Sequence, residues 1–301
     1  MGIRKKEVQR TFIPGTEWLY YKFYCGIQFA DNILLTVVKP FLAAQKRRGA
    51  VDAFFFTRYN DPDYHLRLRF HVSSIHLLYE IMADMRQRVR KFEKAGIIWK
   101  VQIDTYDREI ERYGSNTIHM VEQLFYYDSQ AVLKFLSSCS GDQREEFRWL
   151  WGVKAIDEIL NSLRFSLLEK IAIVTSVKDN FDKEFQADKS VNTLFNKKYA
   201  DNKALVSTVL QEEYHLFEAF KPLAGILVQW RKGAAPLYRQ ILDMHLKGKL
   251  EMDIQALAVS IIHMFLNRHL LAQPRKHEWL MYKMLEKHYK TRHILDAAGR
   301  P

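Results

Sequence analysis

The sequence predicts an α+β fold, in which a ferredoxin-like βαββαβ N-terminal half (residues 1–114) packs against a mainly α-helical C-terminal half (residues 115–301). Three observations lead to this prediction. The first half alternates strand-like and helix-like segments in the ferredoxin-like order. The second half carries apolar residues at helical spacing along most of its length. With 12 Gly and 7 Pro in 301 residues, the chain also has too few turn residues for a loop-rich all-β protein.

Local signals define the first three strands and the first helix. Trp18–Cys25 is a strongly aromatic, strand-like run. Asp31 is a candidate cap for the helix that follows, and Pro40 should kink that helix. Ala53–Tyr59 and His65–Val72 are joined by the short loop NDPD, which predicts a β-hairpin.

The remaining elements of this half complete the pattern. Ser73 or Ser74 begins a second helix, Gly96 ends it, and apolar and polar residues alternate over residues 99–103 as in a strand. In a ferredoxin-like sheet the first and third strands are central, and both helices cover the same face. The other face is therefore expected to be free of these two helices.

The C-terminal half is expected to be helical. The predicted helices are Thr117–Ser137, Gln143–Thr175, Asn202–Leu227, Arg231–Leu246, Asp253–Leu271 and Pro274–His293. Residues Asp179–Lys198 are polar and have the weakest periodicity, so they are predicted to form a mobile loop.

Composition limits the kind of protein this can be. At 48% hydrophobic residues the chain can bury a substantial core. Cys25 and Cys139 have no metal-type spacing and form no disulfide framework, which favours a reducing compartment. The stretch Gly2–Arg10 is charged, unlike a signal peptide, and the longest apolar run, Ala256–Leu266, is shorter than the about 20 residues that cross a bilayer. We expect a cytoplasmic protein with no membrane span.

The formal net charge of +11 favours an acidic partner. Nucleic acid, an anionic surface and an acidic substrate would each fit, and a lysine-rich soluble protein would have the same charge.

The third strand carries the most informative pattern. Its side chains alternate between an apolar face, with Leu66, Leu68, Phe70 and Val72, and a basic face, with His65, Arg67, Arg69 and His71. Alternate residues on a strand lie roughly 6–7 Å apart, so Arg67 and Arg69 can bind one polyanion together. A solvated basic sheet face is the simpler alternative.

Aromatic residues of the first strand should lie beside these arginines. Trp18, Tyr20 and Tyr24 are expected on the same face. Arginine next to aromatic rings on such a sheet is also typical of RNA-binding modules. Those modules usually carry stacking rings on the third strand, where this chain has Arg67 and Arg69.

Two further segments could contribute to a site. In YDREIERYG, Glu109 and Arg112 are three residues apart and can pair on a helical turn, although such pairs are usually solvated. In LAVSIIHMFLNRH, His263 is expected to be buried, with Asn267 one turn further on the same side. A buried histidine is more often a hydrogen-bonded core residue than a base. Neither a nucleotide-binding loop nor a metal-ligand cluster is recognisable.

Four segments together resemble the C-terminal elimination domain of class I lantibiotic dehydratases, also described as thiopeptide-type bacteriocin biosynthesis proteins. They are PGTEWLYYKFYCG, FFFTRYNDPDYHLRLRF, YDREIERYG and IIHMFLNR, in the family's order and spacing. The resemblance extends from about Phe12 to His288, and the second segment is the most specific. Ser115 departs from the pattern, because members usually carry a second glycine there.

The resemblance implies a lyase that eliminates glutamate from glutamylated Ser or Thr of a ribosomally made precursor peptide. It leaves dehydroalanine or dehydrobutyrine and uses no cofactor or metal. The elimination residues implied by the motifs are Arg67, Arg69, Glu109, Arg112 and His263. The substrate-binding residues that accompany them are Tyr20, His65, Asn267 and Arg268.

The resemblance also implies partners and competing functions. The chain resembles the small half of a split dehydratase, in which residues 1–114 and 115–301 make up one elimination domain. A separate glutamyl-tRNA-dependent protein would then glutamylate the precursor, and a cyclase could act afterwards. Relatives that form a pyridine ring by a [4+2] cycloaddition are the first alternative, although they typically lose the arginine cluster. An RNA- or leader-peptide-binding module without catalysis is the second.

Overall fold

A computed structural model of the chain describes residues 8–139, 141–213 and 220–298. The strands are β1 (Thr11–Phe12), β2 (Trp18–Cys25), β3 (Val51–Asn60), β4 (Tyr64–Val72), β5 (Ile98–Ile103) and β6 (Tyr106–Asp107). Four of them form an antiparallel sheet in the order β3-β4-β2-β5, and β1 pairs with β6. The two central strands are the first and third of the predicted βαββαβ unit, so the ferredoxin-like prediction is confirmed.

Two helices cover the apolar face of this sheet. Helix α1 spans Ile27–Arg47, and α2 begins as a 3-10 turn at Ile75–Leu77 and continues over Leu78–Lys94. The ring of Phe41 on α1 lies 5.0 Å from the ring of Phe70 on β4. Gln45 of α1 donates a hydrogen bond to Asp84 of α2 at 2.7 Å, which ties the two helices together. The basic residues of β4 therefore face away from both helices.

The predicted cap of the first helix is wrong. Asp31 lies within α1, in the first turn of its α-helical part, and not at the position that caps the helix. Its buried carboxylate instead accepts a hydrogen bond from Nη2 of Arg58 on β3, at 2.6 Å. A guanidinium buried between helix and sheet needs such a partner, and this requirement outweighs the local capping preference. Ser74 does cap the second helix, since its hydroxyl accepts from the backbone N–H of His76.

Helix α1 is irregular near its proline. A π-helical stretch, Leu34–Val38, comes just before Pro40, which stands in the first turn of the final α-helical segment Lys39–Arg47. Because proline has no N–H to donate to the preceding turn, a widened turn at this point is expected. By length and composition alone, α1 could cross a membrane. However, its buried residues are the ones that pack on the sheet, as in the core helix of a folded domain.

The remaining helices, in chain order, are α3 (Ile110–Tyr113), α4 (Ile118–Ser138), α5 (Gly141–Ser162), α6 (Leu167–Glu184), α7 (Lys189–Gln211), α8 (Lys221–Leu246), α9 (Ile254–His269) and α10 (Pro274–Ala297). The predicted helix Gln143–Thr175 is wrong as a single element. The chain turns at Arg164, whose φ is +58°, and restarts at Ser166 with a reciprocal capping box to Glu169. The predicted helical half is confirmed in its class but not at this boundary.

The loop predicted at Asp179–Lys198 is also wrong. Helix α6 continues to Glu184, and α7 begins at Lys189 under a cap from Asp188, which accepts from the N–H of Val191 at 2.9 Å. Polar side chains on largely exposed helical turns give little periodicity, so the pattern resembled a loop. The predicted helix Asn202–Leu227 is interrupted at Glu212, whose φ is +61°, and residues 214–219 lie outside the described residues.

The fold divides into two compact units. The first contains the chain up to Ser137 together with Asp243–Leu257, and the second contains Ser138–Leu242 and the residues from Ala258 onward. The first unit thus contains the four-stranded sheet, helices α1–α4 and the later segment Asp243–Leu257. The predicted division at residue 114 follows the change from mixed to helical structure, and as a domain boundary it stays a prediction.

The second unit contains a group of opposite charges that extends from the buried Lys154 to the surface. Nζ of the buried Lys154 lies 3.0 Å from Oε1 of Glu212, and Nη1 of Arg231 donates to Oε2 of Glu212 at 2.8 Å. The hydrogen bonding from Arg231, with the charge of Lys154, lowers the pKa of Glu212 to about 2. These charges are therefore satisfied within the helical unit itself.

Candidate active site

Arg69 lies at the centre of the sheet, surrounded by aromatic rings. In the strand register it is opposite Tyr20 of β2 and Phe55 of β3. Its guanidinium carbon lies 4.4 Å from the centre of the Tyr20 ring, 5.2 Å from that of Phe55 and 5.0 Å from that of Tyr106. The electron-rich faces of rings at these distances attract the cation, but they do not neutralise its positive charge. Tyr20, Phe55 and Tyr106 are called the ring cage below.

Arg67, two residues earlier on the same face, is held differently. Its guanidinium carbon lies 3.4 Å from the centre of the Tyr59 ring, and its Nε donates to Nε2 of His65 at 3.0 Å. Nδ1 of His65 lies 2.8 Å from the carbonyl oxygen of Asp63, which can only accept, so Nδ1 carries the proton. Burial lowers the pKa of His65, and the charge of Arg67 lowers it further. A neutral His65 thus orients Arg67.

In the described structure neither arginine is paired with a carboxylate, although the charge of Arg67 contributes to lowering the pKa of Asp104. Within the described part of the chain, no ion pair involves Arg67 or Arg69, and Nε of Arg69 is buried without a hydrogen-bond partner. The nearby Asp104 is bound to Lys22 instead, and the hydrogen bond from Lys22 lowers the pKa of that carboxyl group. The buried arginines of this unit are paired, as Arg58 is with Asp31. The site therefore has an excess of positive charge and an unused donor, which suits an anion.

The segment after β5 joins the ring cage to the predicted Glu109–Arg112 pair. The hydroxyl of Tyr106 donates to Glu122 of α4 at 2.7 Å, and Arg108 binds both oxygens of the same carboxylate at 2.7 Å. This buried ion pair fixes the backbone on both sides of Arg108. It holds Tyr106 against Arg69 and sets the position from which Glu109 projects.

The predicted pairing of Glu109 with Arg112 is confirmed. Nη1 of Arg112 lies 3.3 Å from Oε2 of Glu109, and both side chains are partly exposed. Gly114, with φ of +80°, ends this turn, and Ser115 follows it. The N–H and the hydroxyl of Ser115 both donate to Glu251, at 2.7 and 2.8 Å. The serine that departs from the family pattern thus anchors the turn by a side-chain bond that glycine could not make.

His263 belongs to the second unit and is less buried than predicted. Its side chain is 32% exposed, so this position of α9 is not enclosed on all sides. Nδ1 of the imidazole lies 3.0 Å from Oε2 and 3.3 Å from Oε1 of Glu278 on α10. Asn267 is half-buried, and the fully buried Arg268 donates from Nη1 to the carbonyl oxygen of Met264 at 2.6 Å. Their assignment to substrate binding, and a pocket shared by His263 with Arg67 and Arg69, stay predictions.

Several residues of this site are missing from the predicted set. Phe55 and Tyr59 could have been found from the hairpin register, which places them beside Arg69 and His65. Tyr106 and Glu122 contact the arginine cluster's surroundings from segments distant in sequence, and Glu278 contacts His263 within the second unit; no local pattern marks any of the three. Within residues 8–139, 141–213 and 220–298, no three His, Cys, Asp or Glu side chains are grouped to hold a metal ion.

A ferredoxin-like sheet with two arginines among aromatic rings, followed by a helical unit, defines an α+β protein. The sequence match is more specific. Residues 18–289 match the family model for the C-terminal domain of lantibiotic biosynthesis dehydratases, and the chain therefore belongs to that family. This confirms the resemblance seen in the sequence motifs.

Two curated relatives support the membership. The chain is 31% identical over 165 residues to nisin biosynthesis protein NisB of Lactococcus lactis subsp. lactis. The aligned region covers 54% of this chain and 16% of NisB. It is also 25% identical over 185 residues to subtilin biosynthesis protein SpaB of Bacillus subtilis. That aligned region covers 60% of this chain and 18% of SpaB. The matched region is thus less than a fifth of each relative.

Solved structures show the same fold. The tRNA-dependent lantibiotic dehydratase MibB from Microbispora sp. 107891 aligns over 93% of this chain and 29% of its own, with a TM-score of 0.68 and 17% identity. TsrL aligns over 94% of this chain and 97% of its own, with a TM-score of 0.64 and 13% identity. TbtD, a pyridine synthase from thiomuracin biosynthesis, aligns over 92% of this chain and 98% of its own, with a TM-score of 0.62 and 13% identity. At such identities the likeness concerns the fold alone.

Proposed function

We propose that this chain is a lyase that removes glutamate from glutamylated serine and threonine residues of a ribosomally synthesised precursor peptide. In this reaction a base takes the Cα proton and the Cα=Cβ double bond forms. The Cβ–O bond breaks, and its electron pair leaves on the carboxylate of glutamate. The products are dehydroalanine or dehydrobutyrine and free glutamate, whose side chain carries a second carboxylate. Such a reaction needs cations that the protein has not already neutralised.

The unneutralised pair Arg67 and Arg69 is the observation that carries this proposal. Both project from one face of β4 at the spacing of alternate strand residues, roughly 6–7 Å. A dicarboxylate leaving group offers an oxygen pair to each guanidinium. The partly exposed guanidinium of Arg69, whose Nε has no protein partner in the described structure, donates in this proposal to an oxygen whose charge grows as the Cβ–O bond breaks.

The other predicted residues take supporting roles in this proposal. The Glu109–Arg112 turn supplies a further guanidinium from the segment that Glu122 holds in place. His263 is the proposed proton-transfer residue, because an imidazole can exchange protons near neutral pH. Tyr20 and His65 contribute to substrate binding by orienting Arg69 and Arg67. Asn267 and Arg268, on the same helix as His263, are the remaining proposed substrate-binding residues.

The proposal also names partners. The substrate is the glutamylated precursor, which a glutamyl-tRNA-dependent glutamylation activity would supply in the cytoplasm. A cyclase could consume the dehydrated peptide. The elimination itself proceeds by proton transfer and charge stabilisation, for which we propose no cofactor or metal.

Pyridine formation by [4+2] cycloaddition is the second candidate. The fold of the pyridine synthase TbtD matches this chain over almost its whole length, which favours the candidate at the level of architecture. A cyclase that joins two dehydroalanines expels no glutamate and has no need of an unneutralised arginine pair. Arg67 and Arg69 therefore favour elimination.

The non-catalytic RNA-binding candidate is less well supported. Base stacking needs exposed ring faces, whereas Trp18, Tyr20 and Tyr24 are all buried, at 3%, 3% and 6% exposure. The rings beside the arginines are in contact with protein groups.

The test uses the whole chain with glutamylated and unmodified precursor, without ATP or added metal. Mass spectrometry should show loss of glutamic acid from each glutamylated residue and no change in the unmodified peptide. Closure of a ring with no loss of glutamate would instead establish the cyclase. Filter binding of tRNA across a range of salt concentrations tests the RNA-binding candidate, which predicts steeply salt-dependent retention.

A further inference from the structure

Glu278 and His263 form a carboxylate–imidazole pair that lies wholly within the second unit. Glu278 is 4% exposed, whereas the side chain of His263 is 32% exposed. Both carboxylate oxygens lie within 3.3 Å of the same ring nitrogen, Nδ1. A carboxylate this deeply buried needs a charged or hydrogen-bonding partner. Among the described residues His263 is the side chain that supplies this hydrogen bond.

The negative charge of Glu278 also acts on its neighbours on α10. Burial raises the pKa of Tyr282, and the charge of Glu278 raises it further. The carboxylate thus lies inside the helical unit, with the partly exposed imidazole beside it.

The geometry determines which ring nitrogen of His263 is protonated. An ionised carboxylate only accepts hydrogen bonds, so Nδ1 must carry a proton that it donates to Glu278. In the neutral imidazole Nε2 then holds the lone pair. In the described part of the chain, no protein group forms a hydrogen bond with Nε2. Nε2 is thus prepared to take a proton from outside the pair.

We propose that Glu278 is a positioning residue for His263, fixing the tautomer in which Nε2 is the base. The inference rests on the proposed elimination. Nε2 takes the Cα proton of the glutamylated residue, and the electron pair of the C–H bond becomes the Cα=Cβ double bond. The pair of the Cβ–O bond leaves with glutamate as a carboxylate. Glu278 stabilises the imidazolium ion so formed, and the proton then passes from Nε2 to solvent.

Glu278→Gln is the most informative variant because it keeps the size of the side chain and removes its charge. The glutamine amide can donate to Nδ1, which moves the ring proton to Nε2 and blocks it as a base. In a serine protease, the same kind of exchange lowers kcat about 10⁴-fold by selecting the wrong tautomer. We expect kcat for glutamate loss to fall about 10²–10⁴-fold with little change in KM. Glu278→Asp, which keeps the charge, should recover part of this loss.

Nitrogen NMR of the free protein labelled at histidine nitrogens provides a measurement that does not depend on activity. His263→Asn identifies the His263 signals. Wild type should show a protonated Nδ1 and an unprotonated Nε2, and Glu278→Gln should shift protonation toward Nε2. The matched control is Asp52→Asn, which alters the contact of Asp52 with Nδ1 of His71 at 2.6 Å, and it should leave kcat unchanged.

The outcomes distinguish a failure of the proposed elimination from a failure of the proposed role of Glu278. A wild-type protein that leaves glutamylated peptide intact refutes the proposed elimination, whatever the NMR shows. A wild-type protein that eliminates glutamate while Glu278→Gln keeps both kcat and the His263 tautomer overturns the role of Glu278. A lower kcat that follows only a smaller folded fraction, measured by thermal melting, also overturns it, because it would show a structural role alone.

Discussion

Replacing Arg69 separates its charge and donors from its place in the ring cage. Three ring centres lie within 5.2 Å of its guanidinium carbon, so alanine would leave a cavity as well as remove a cation. Arg69→Met fills the cage without a charge, and Arg69→Lys keeps a charge but loses the planar fork. The contacts with the rings exist before and during the reaction, so their loss affects stability more than rate.

The expected effect of these substitutions on the rate comes from the lost interaction between Arg69 and the substrate anion. Arg69 is partly exposed and makes no ion pair in the described structure, so in the proposed reaction its guanidinium can donate to a substrate oxygen. Losing one such donor to a developing oxyanion costs about 10²–10³ in rate, or about 2.7–4 kcal/mol. We expect Arg69→Met to lower the elimination rate by at least this factor. Arg69→Lys should recover little, because an ammonium group cannot bind both oxygens of a carboxylate side by side.

The assay is a single-turnover reaction on glutamylated precursor, followed by mass spectrometry. In the presence of the glutamylating partner, the variants should accumulate glutamylated peptide. Arg88→Lys is the matched control, since Arg88 is also partly buried but is paired with Asp84 on α2 at 2.8 Å. It should eliminate at the wild-type rate. If folded Arg69→Met dehydrates the peptide as fast as wild type, the anion site has been assigned to the wrong residues.

Three further predictions concern the supports of the site and the helical unit. Glu122→Gln leaves Arg108 buried without a counter-charge and should lower the free energy of unfolding by about 3–5 kcal/mol in urea denaturation; an unchanged midpoint would contradict this. Glu212 has a folded-state pKa of about 2, below its unfolded value, so its stabilising contribution is present above about pH 4.5 and is lost as the pH falls toward 2. Melting temperature should therefore decrease over this range, and less so in Glu212→Gln. Ser115→Gly loses one hydroxyl bond to Glu251 but keeps the backbone bond, so it should cost about 1 kcal/mol and preserve elimination; loss of activity in folded protein would show that the serine does more than anchor the turn.

The parts of the fold that could be predicted are those governed by short periodicities. The strand Trp18–Cys25 has the predicted bounds, and the alternation in β4 correctly separated the arginines from the helix-covered face. The Glu109–Arg112 pair also depends only on spacing along one turn. The parts that could not be predicted depend on contacts between distant segments. The buried contact with Arg58 decides the role of Asp31, and the surface helix that Asp188 begins has too weak a periodicity to be recognised.

The surroundings of Arg69 explain how a partly buried guanidinium can remain available to a substrate. A carboxylate partner would stabilise the cation but would also compete with an incoming anion, as Asp31 would at Arg58. Aromatic rings hold the cation weakly, by about 0.5–2 kcal/mol each, and they exclude water without supplying an acceptor. An anion that enters therefore meets a cation that is positioned, poorly hydrated and unpaired, and electrostatic attraction is strongest under those conditions. The same reasoning favours the proposed eliminase over a cyclase, because the eliminase expels an anion and joining two dehydroalanines expels none.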